Sequence, residues 1–253
     1  MTSNPFSLED KVAVVTGANT GLGQGMAVAL AEAGADIALV GRSQPEETVE
    51  LVEKAGRKAL VVMADLGSLE PIDTIISQTR ERLGSIDILV NNAGIIKRND
   101  SIDFTEEDWD AVMDINLKTL FFLSQKVARS MIEAKTRGKI INIASMLSYQ
   151  GGIRVPSYTA SKSGVMGLTR ILANEWAKHG INVNAIAPGY FATNNTAALQ
   201  ADETRNKEIL GRIPAGRWGD PSDLGGAAVF LASRASDYVQ GVTLPVDGGW
   251  LAR

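Results

Sequence analysis

Tyr158 and Lys162 stand four residues apart in SYTASKSG, a stretch with helical character. On a helix that spacing places both side chains on one face, where they can converge on a single point. A phenol with its ordinary pKa near 10 exchanges protons poorly at neutral pH, but a neighbouring ammonium favours phenolate and pulls that value down. Tyr158 is therefore a candidate general acid or base and Lys162 the cation that tunes it. Alone, the pair is weak evidence, because tyrosine and lysine at this spacing form an ordinary solvated pair in most sequences. Ser145 closes the stretch GKIINIAS and offers a hydroxyl where it can bond a substrate oxygen or simply cap a turn. Asn116, in MDINLK, falls inside a long helical stretch, where an amide is neutral or unfavourable without a partner.

A second group of residues has the types needed to hold phosphate. TGANTGLG runs from an apolar stretch straight into a helical one, with Gly17, Gly21 and Gly23 spaced as GxxxGxG. Glycines there permit a tight turn and close backbone approach to a pyrophosphate, while the helix start contributes free N–H groups and a positive dipole. The spacing differs from GxGxxG, and a structural glycine turn is the plain alternative. Asn92, Ala93 and Gly94 in NNAG follow another apolar run and suit close contact with a cofactor, or form a turn without function. Asp65, in MADL, is placed either to reach an adenine or to end a strand.

These residues need a scaffold that gathers them. Six short β-branched runs, KVAVVTG, ADIALVG, KALVVMADL, IDILVNNAG, GKIINIAS and INVNAIAPG, are continuously apolar, as parallel strands covered on both faces should be. Helical patterns at about 21–33, 45–55, 68–83, 106–134 and 156–178 alternate with them and are long enough for right-handed crossovers. A helix near 221–233 and a strand at Thr243–Val246 extend the series. The pattern predicts an α/β fold, a doubly wound parallel sheet of about seven strands, in one domain spanning 1–253. The polar, irregular segment 190–219 has the character of a lid.

Composition excludes several chemistries. The chain has no cysteine and one histidine, so thiolate sites, a cysteine nucleophile and multi-histidine zinc sites are ruled out, and no metal is expected. His179, in AKHGIN, reads as a helix-end cation. The net charge of -4, without a basic run, argues against a nucleic-acid partner. No apolar run is long enough to cross a bilayer and the first residues do not resemble a leader, so a cytoplasmic protein is expected.

Taken together, TGANTGLG, NNAG, Asn116, Ser145, YTASK and the APG at 187–189 resemble the short-chain dehydrogenase/reductase family over essentially the whole chain. The resemblance implies a Rossmann fold and a nicotinamide cofactor. It assigns catalysis to Asn116, Ser145, Tyr158 and Lys162, with Tyr158 passing the proton and Ser145 orienting the carbonyl oxygen. Lys162 would lower the tyrosine pKa and bond the nicotinamide ribose, and Asn116 would hold a water linking Lys162 to solvent. Gly17, Asn19, Gly21, Leu22, Gly23, Arg42, Asp65, Leu66, Asn92, Ala93, Gly94, Pro188, Gly189 and Thr193 would line the cofactor site.

The second apolar run ends in Gly41-Arg42-Ser43, where an acid would normally bond the ribose of NAD. Arg42 can pair with the phosphate of NADP or stack on adenine, whereas Thr20 is not basic and Glu46 and Glu47 would repel a phosphate. NAD is expected, with NADP open. Longer stretches, SMLSYQGGIRVPSYTASKSGVMG, NVNAIAPGYFATNNT and DYVQGVTLPVDGGWLAR, resemble the sugar-acid dehydrogenases of that family, implying a deoxy sugar acid in uronate catabolism as substrate. Such a substrate calls for a cation and amides. Arg154 is the carboxylate candidate, with a surface or subunit contact as its alternative; Gln150, Asn194 and Asn195 are the hydroxyl candidates and Arg217 a weaker cation. Another carbonyl substrate, or a nucleotide sensor without turnover, are the competing readings. The resemblance also implies a homotetramer, and Trp250 in the apolar C-terminus would be poorly used by a monomer.

Overall fold

A computed structural model describes residues 4–253. Seven strands form one sheet: β1 (Val12–Thr16), β2 (Asp36–Gly41), β3 (Ala59–Met63), β4 (Ile88–Asn91), β5 (Gly138–Ile143), β6 (Ile181–Pro188) and β7 (Thr243–Val246). Their order is β3-β2-β1-β4-β5-β6-β7, and every neighbouring pair is parallel. The doubly wound sheet expected from the continuous apolar runs is present. Chain order reverses between β1 and β4, which opens a crevice at their C-terminal ends where ligands collect in such sheets.

Nine helices cover the faces among the described residues: α1 (Gly21–Glu32), α2 (Glu46–Lys54), α3 (Ile72–Leu83), α4 (Glu106–Met113), α5 (Leu120–Glu133), α6 (Pro156–Trp176), α7 (Ala197–Ala201), α8 (Glu203–Arg212) and α9 (Gly225–Ala232). Alternate strand residues face opposite ways, so each face has its own core. On one side Val15, Ile37, Leu39, Ile141 and Ile186 pack with Met26, Leu30 and Leu231. On the other, Val14, Val40, Leu89, Ile140 and Val183 pack with Ile75, Leu123, Val127 and Leu172. No helix among the described residues is long and apolar enough to cross a membrane.

The helix expected over 106–134 is interrupted. Between α4 and α5 lies a π-helical turn, Asp114–Thr119, that contains Asn116. Periodicity does not reveal such a turn, since one added residue per turn rotates the downstream face without breaking the apolar stripe. Pro71 delays the start of α3 to Ile72, because the ring fits a helix start and not its interior. The segment 190–219 carries α7 and α8, whose packing runs through Ile209 and Ile213 onto Met146 and Trp250. His179 ends a short 3-10 turn that Gly180 closes at φ 75°, so it stands at a helix end as expected.

Candidate active site

The crevice is built first by the glycine loop. Gly17 has φ 64°, and a Cβ there would lie 3.0 Å from both Ala93 Cα and Asn92 Nδ2. A Cβ on Gly23 would overlap the Gly17 carbonyl. Asn92 Nδ2 donates to the carbonyls of Thr16 and Gly17, each at 3.0 Å, and Thr16 Oγ1 accepts from the Asn92 and Ala93 amides, each at 3.0 Å. NNAG therefore clamps the loop rather than only lying beside a ligand. Thr20 caps α1 without a side-chain hydrogen bond, and the first turn has no acid. Unsatisfied N–H groups at that helix start face a cradle that side chains would fill, which fits a pyrophosphate.

The cofactor candidates reach along this crevice. Asn19 Nδ2 donates to Ser43 Oγ at 2.8 Å at the end of β2, beside exposed Arg42. Thr48 Oγ1, fully buried, donates to the Ala18 carbonyl at 2.9 Å and ties α2 to the glycine loop. Asp65 is exposed and accepts from the Gly67 amide at 2.9 Å, with Leu66 buried beside it. At the other end, a Cβ on Gly21 would stand 3.4 Å from Thr193 Cγ2, so Thr193 faces the loop. A Cβ on Gly94 would meet Asn116 Oδ1 at 3.1 Å and Lys162 Nζ at 3.7 Å, so the cradle leads directly to the reactive cluster. Buried Pro188 ends β6, and a side chain on Gly189 would strike Asp247.

That cluster joins four elements. Ser145, two residues beyond β5, is buried, and its hydroxyl acts on the phenol of Tyr158 on the first turn of α6, lowering its pKa. Ser145 Oγ also accepts from the Leu147 amide at 3.1 Å, so the hydroxyl both caps the turn and faces the tyrosine. Lys162 lies 5.7 Å from the Tyr158 ring centroid and donates from Nζ to the Ile143 carbonyl at 2.6 Å. Asn116 Oδ1 accepts from the Ile95 amide at 2.9 Å and Nδ2 donates to the Ile95 carbonyl at 3.0 Å. Its amide also reaches Ser161 Oγ at 3.3 Å, which joins the π turn to α6.

The electrostatics differ from the sequence expectation. Burial lowers the Lys162 ammonium to about 8. Burial also raises the Tyr158 phenol, although part of that residue stays exposed; the Ser145 hydrogen bond and then the charge of Arg98 pull it back. Desolvation is the largest influence on the phenol, and Lys162 is not among the groups that lower it.

The comparisons agree with this geometry. Residues 17–251 match the family model described as enoyl-(acyl carrier protein) reductase, a short-chain dehydrogenase/reductase model. The chain belongs to the short-chain dehydrogenase/reductase family. It is 63% identical over 253 residues, all of both chains, to 2-dehydro-3-deoxy-D-gluconate 5-dehydrogenase of Dickeya dadantii. The namesake from Escherichia coli K12 is also 63% identical over all of both chains. A solved Agrobacterium tumefaciens structure with bound NADP, provisionally named a 2-deoxy-D-gluconate 3-dehydrogenase, is 58% identical with a TM-score of 0.92, covering 99% of this chain and 100% of that one.

As a short-chain dehydrogenase/reductase, the chain places the proposed substrate residues unevenly. Arg154, at φ 64°, directs Nε to Asp100 at 3.1 Å and is exposed, so its charge is already paired. Gln150 Oε1 accepts from Arg212 at 3.1 Å and Trp250 Nε1 at 3.3 Å, linking the turn after Ser145 to α8. Asn194 and Asn195 are exposed in a 3-10 turn beyond Thr193. Arg217 forms a two-pronged ion pair with Asp223, at 2.6 and 2.9 Å, which pins its segment. Trp250 is 5% exposed, with Arg212 4.0 Å over its ring, so the chain itself uses this residue. Sequence reasoning missed Arg98, an exposed cation whose charge acts on Tyr158. The only signal was its place in GIIKRND just after NNAG.

Proposed function

We propose that this protein is an NAD(P)-dependent dehydrogenase that interconverts a hydroxyl and a keto group on a deoxy sugar acid, 2-dehydro-3-deoxy-D-gluconate and its 5-keto form. Arg98 carries the choice of an acid. It is the cation that acts on the Tyr158 phenol, and no hydrogen bond or ion pair engages it among the described residues. A free guanidinium beside the proton-transfer group is suited to a substrate carboxylate. The relatives named for this activity support the same reading. An acyl-chain ketone would leave that charge unused.

Gly17, Asn19, Gly21, Leu22 and Gly23 would hold the pyrophosphate side of the dinucleotide, and Asn92, Ala93, Gly94, Pro188, Gly189 and Thr193 its nicotinamide side. When bound, the nicotinamide takes hydride from the carbinol carbon or returns it to the ketone. In oxidation Tyr158 acts as phenolate and accepts the hydroxyl proton; in reduction it gives that proton back. Ser145 donates to the substrate oxygen and holds it against the phenol, and a water at Asn116 would connect Lys162 with solvent. Segment 190–219 closes the site, its α8 joined to the turn after Ser145 through Gln150 and Arg212.

We place the protein in the cytoplasm and read it as a homotetramer. Trp109 of α4, Phe122 of α5 and Ile171 of α6 are 39%, 36% and 46% exposed, an apolar face that a second copy would cover. Light scattering at micromolar concentration should give four chains per particle. The activity is tested by initial rates of NADH and NADPH oxidation with a panel of keto sugar acids and fatty-chain ketones. Turnover confined to the sugar acids supports the proposal; turnover confined to the apolar ketones defeats it.

A further inference from the structure

A buried polar chain crosses the sheet below the catalytic cluster, and the chemistry above makes no use of it. Asn91 Nδ2, on β4, donates to Ser124 Oγ of α5 at 2.8 Å and to Asn142 Oδ1 of β5 at 2.9 Å. Asn142 Nδ2 donates in turn to Thr169 Oγ1 of α6 at 3.0 Å. Both ends return to helix backbone, Ser124 Oγ donating to the Leu120 carbonyl at 2.7 Å and Thr169 Oγ1 to the Val165 carbonyl at 2.8 Å. Ser124, Asn142 and Thr169 are fully buried and Asn91 is 4% exposed.

Position along the chain gives this network its meaning. Thr169 follows Lys162 by two helical turns and Tyr158 by three, on the same face of α6. Asn142 lies on β5 just before Ile143, whose carbonyl holds Lys162, and three residues before Ser145. One hydrogen bond therefore joins the strand that presents Ser145 to the helix that presents Tyr158 and Lys162.

Val165, Leu172 and Ala173 add apolar contacts on this side of α6. Ser148 Oγ donates to the Lys162 carbonyl at 2.7 Å and Asn116 Nδ2 to Ser161 Oγ at 3.3 Å, bonds that tie α6 to the turn after Ser145 and to the π turn but not to β5 itself. Apolar contact has no direction and tolerates a small slide along the helix axis. A buried amide–hydroxyl bond does not, because displacement leaves a donor without water or partner. The Lys162–Ile143 contact is a poor substitute, since a four-carbon side chain can follow a shifted helix.

We propose that Asn142 and Thr169 are positioning residues, whose hydrogen bond sets the axial register of α6 on β5 and with it the approach of the Tyr158 phenol to the Ser145 hydroxyl. The proposal rests on the catalytic assignment made above. A misplacement of about 1 Å costs roughly 100-fold in rate where reacting groups must align, and a helix advances about 1.5 Å per residue. A fraction of one step suffices.

The test compares Thr169→Val, Thr169→Ser and Tyr158→Phe in the full-length protein. It measures turnover of the sugar acid, NADH affinity, and the ultraviolet titration of Tyr158, obtained without substrate by subtracting the Tyr158→Phe curve. The groups facing that phenol are Lys162 on α6, Ser145 after β5 and Arg98 after β4. Thr169→Val should lower kcat at least about 10-fold, weaken NADH binding by a smaller factor because the glycine cradle stays in place and only the Lys162 contact moves with α6, and raise the Tyr158 midpoint as the Ser145 hydroxyl draws away. Thr169→Ser should restore both. Unchanged kcat and midpoint in Thr169→Val, or lost turnover with an unmoved midpoint, would overturn the proposal. If Thr169→Val does not fold, the pair Asn142→Leu with Thr169→Val, which removes both partners together, is judged by the same two readouts. A fully active Tyr158→Phe overturns the catalytic assignment; an inactive Tyr158→Phe beside an indifferent Thr169→Val overturns the register proposal alone.

Discussion

Lys162 Nζ is held by the Ile143 carbonyl at 2.6 Å while lying 5.7 Å from the centre of the Tyr158 ring, so the cation is anchored to the sheet beside that phenol. Burial lowers this lysine from 10.5 to about 8. Between those values the unfolded chain binds more protons than the folded one, so Lys162 makes folding more favourable as pH rises through that window. Tyr158, raised above 10.0, acts in the opposite sense at higher pH, its contribution being lost as pH rises through the folded value.

Replacing Lys162 by Met should consequently stabilise the protein at pH 7 while removing its function. Thermal melts should show Tm higher by roughly 2–6 °C at pH 7, with the difference shrinking by pH 9.5. Turnover should fall at least about 100-fold. A Lys162→Met protein that melts below wild type at pH 7 would show that the hydrogen bond to Ile143 outweighs the desolvation.

Arg98 and Arg154 make a controlled comparison, because both flank the catalytic turn but only Arg154 is paired, with Asp100. Arg98→Ala should raise KM for the sugar acid about 10- to 100-fold, the scale of one charge-assisted hydrogen bond. Arg154→Ala removes an exposed ion pair and should change KM less than about three-fold. The reverse order in steady-state kinetics would return the carboxylate role to Arg154.

These cases show what the sequence carries. The strand pattern was legible because parallel strands buried on both faces must be continuously apolar, and the convergence of Tyr158 and Lys162 because a spacing of four residues shares one helix face. The π turn at Asn116 was hidden, as one inserted residue leaves no compositional mark. Arg98 was hidden because Tyr158, the phenol its charge acts on, is distant in sequence, and Arg154 drew attention only by its nearness to Tyr158. The pairing of Gln150 with Arg212 and Trp250 likewise depends on how α8 folds back.

Cofactor choice turns on the end of β2. Arg42 is exposed there, next to the Asn19–Ser43 hydrogen bond, with no acid in the position that would bond a ribose hydroxyl. Arg42→Ala should weaken NADPH binding about 10-fold or more and leave NADH binding within about two-fold. Titrating protein fluorescence with each dinucleotide reads this directly. Equal loss for both would mean that Arg42 stacks on the adenine.

Gly23 offers the sharpest test of the cradle. Its φ needs no glycine, yet an added Cβ would overlap the Gly17 carbonyl, and that carbonyl is the acceptor through which Asn92 clamps the loop. Relief requires the loop to move away from β4, which tilts the free N–H groups at the start of α1 away from the place a pyrophosphate would take. Gly23→Ala should therefore weaken both NADH and NADPH at least about 10-fold, with the sheet and its far-ultraviolet circular dichroism unchanged. Dinucleotide affinity within two-fold of wild type in the Gly23→Ala protein would place the pyrophosphate elsewhere than on this loop.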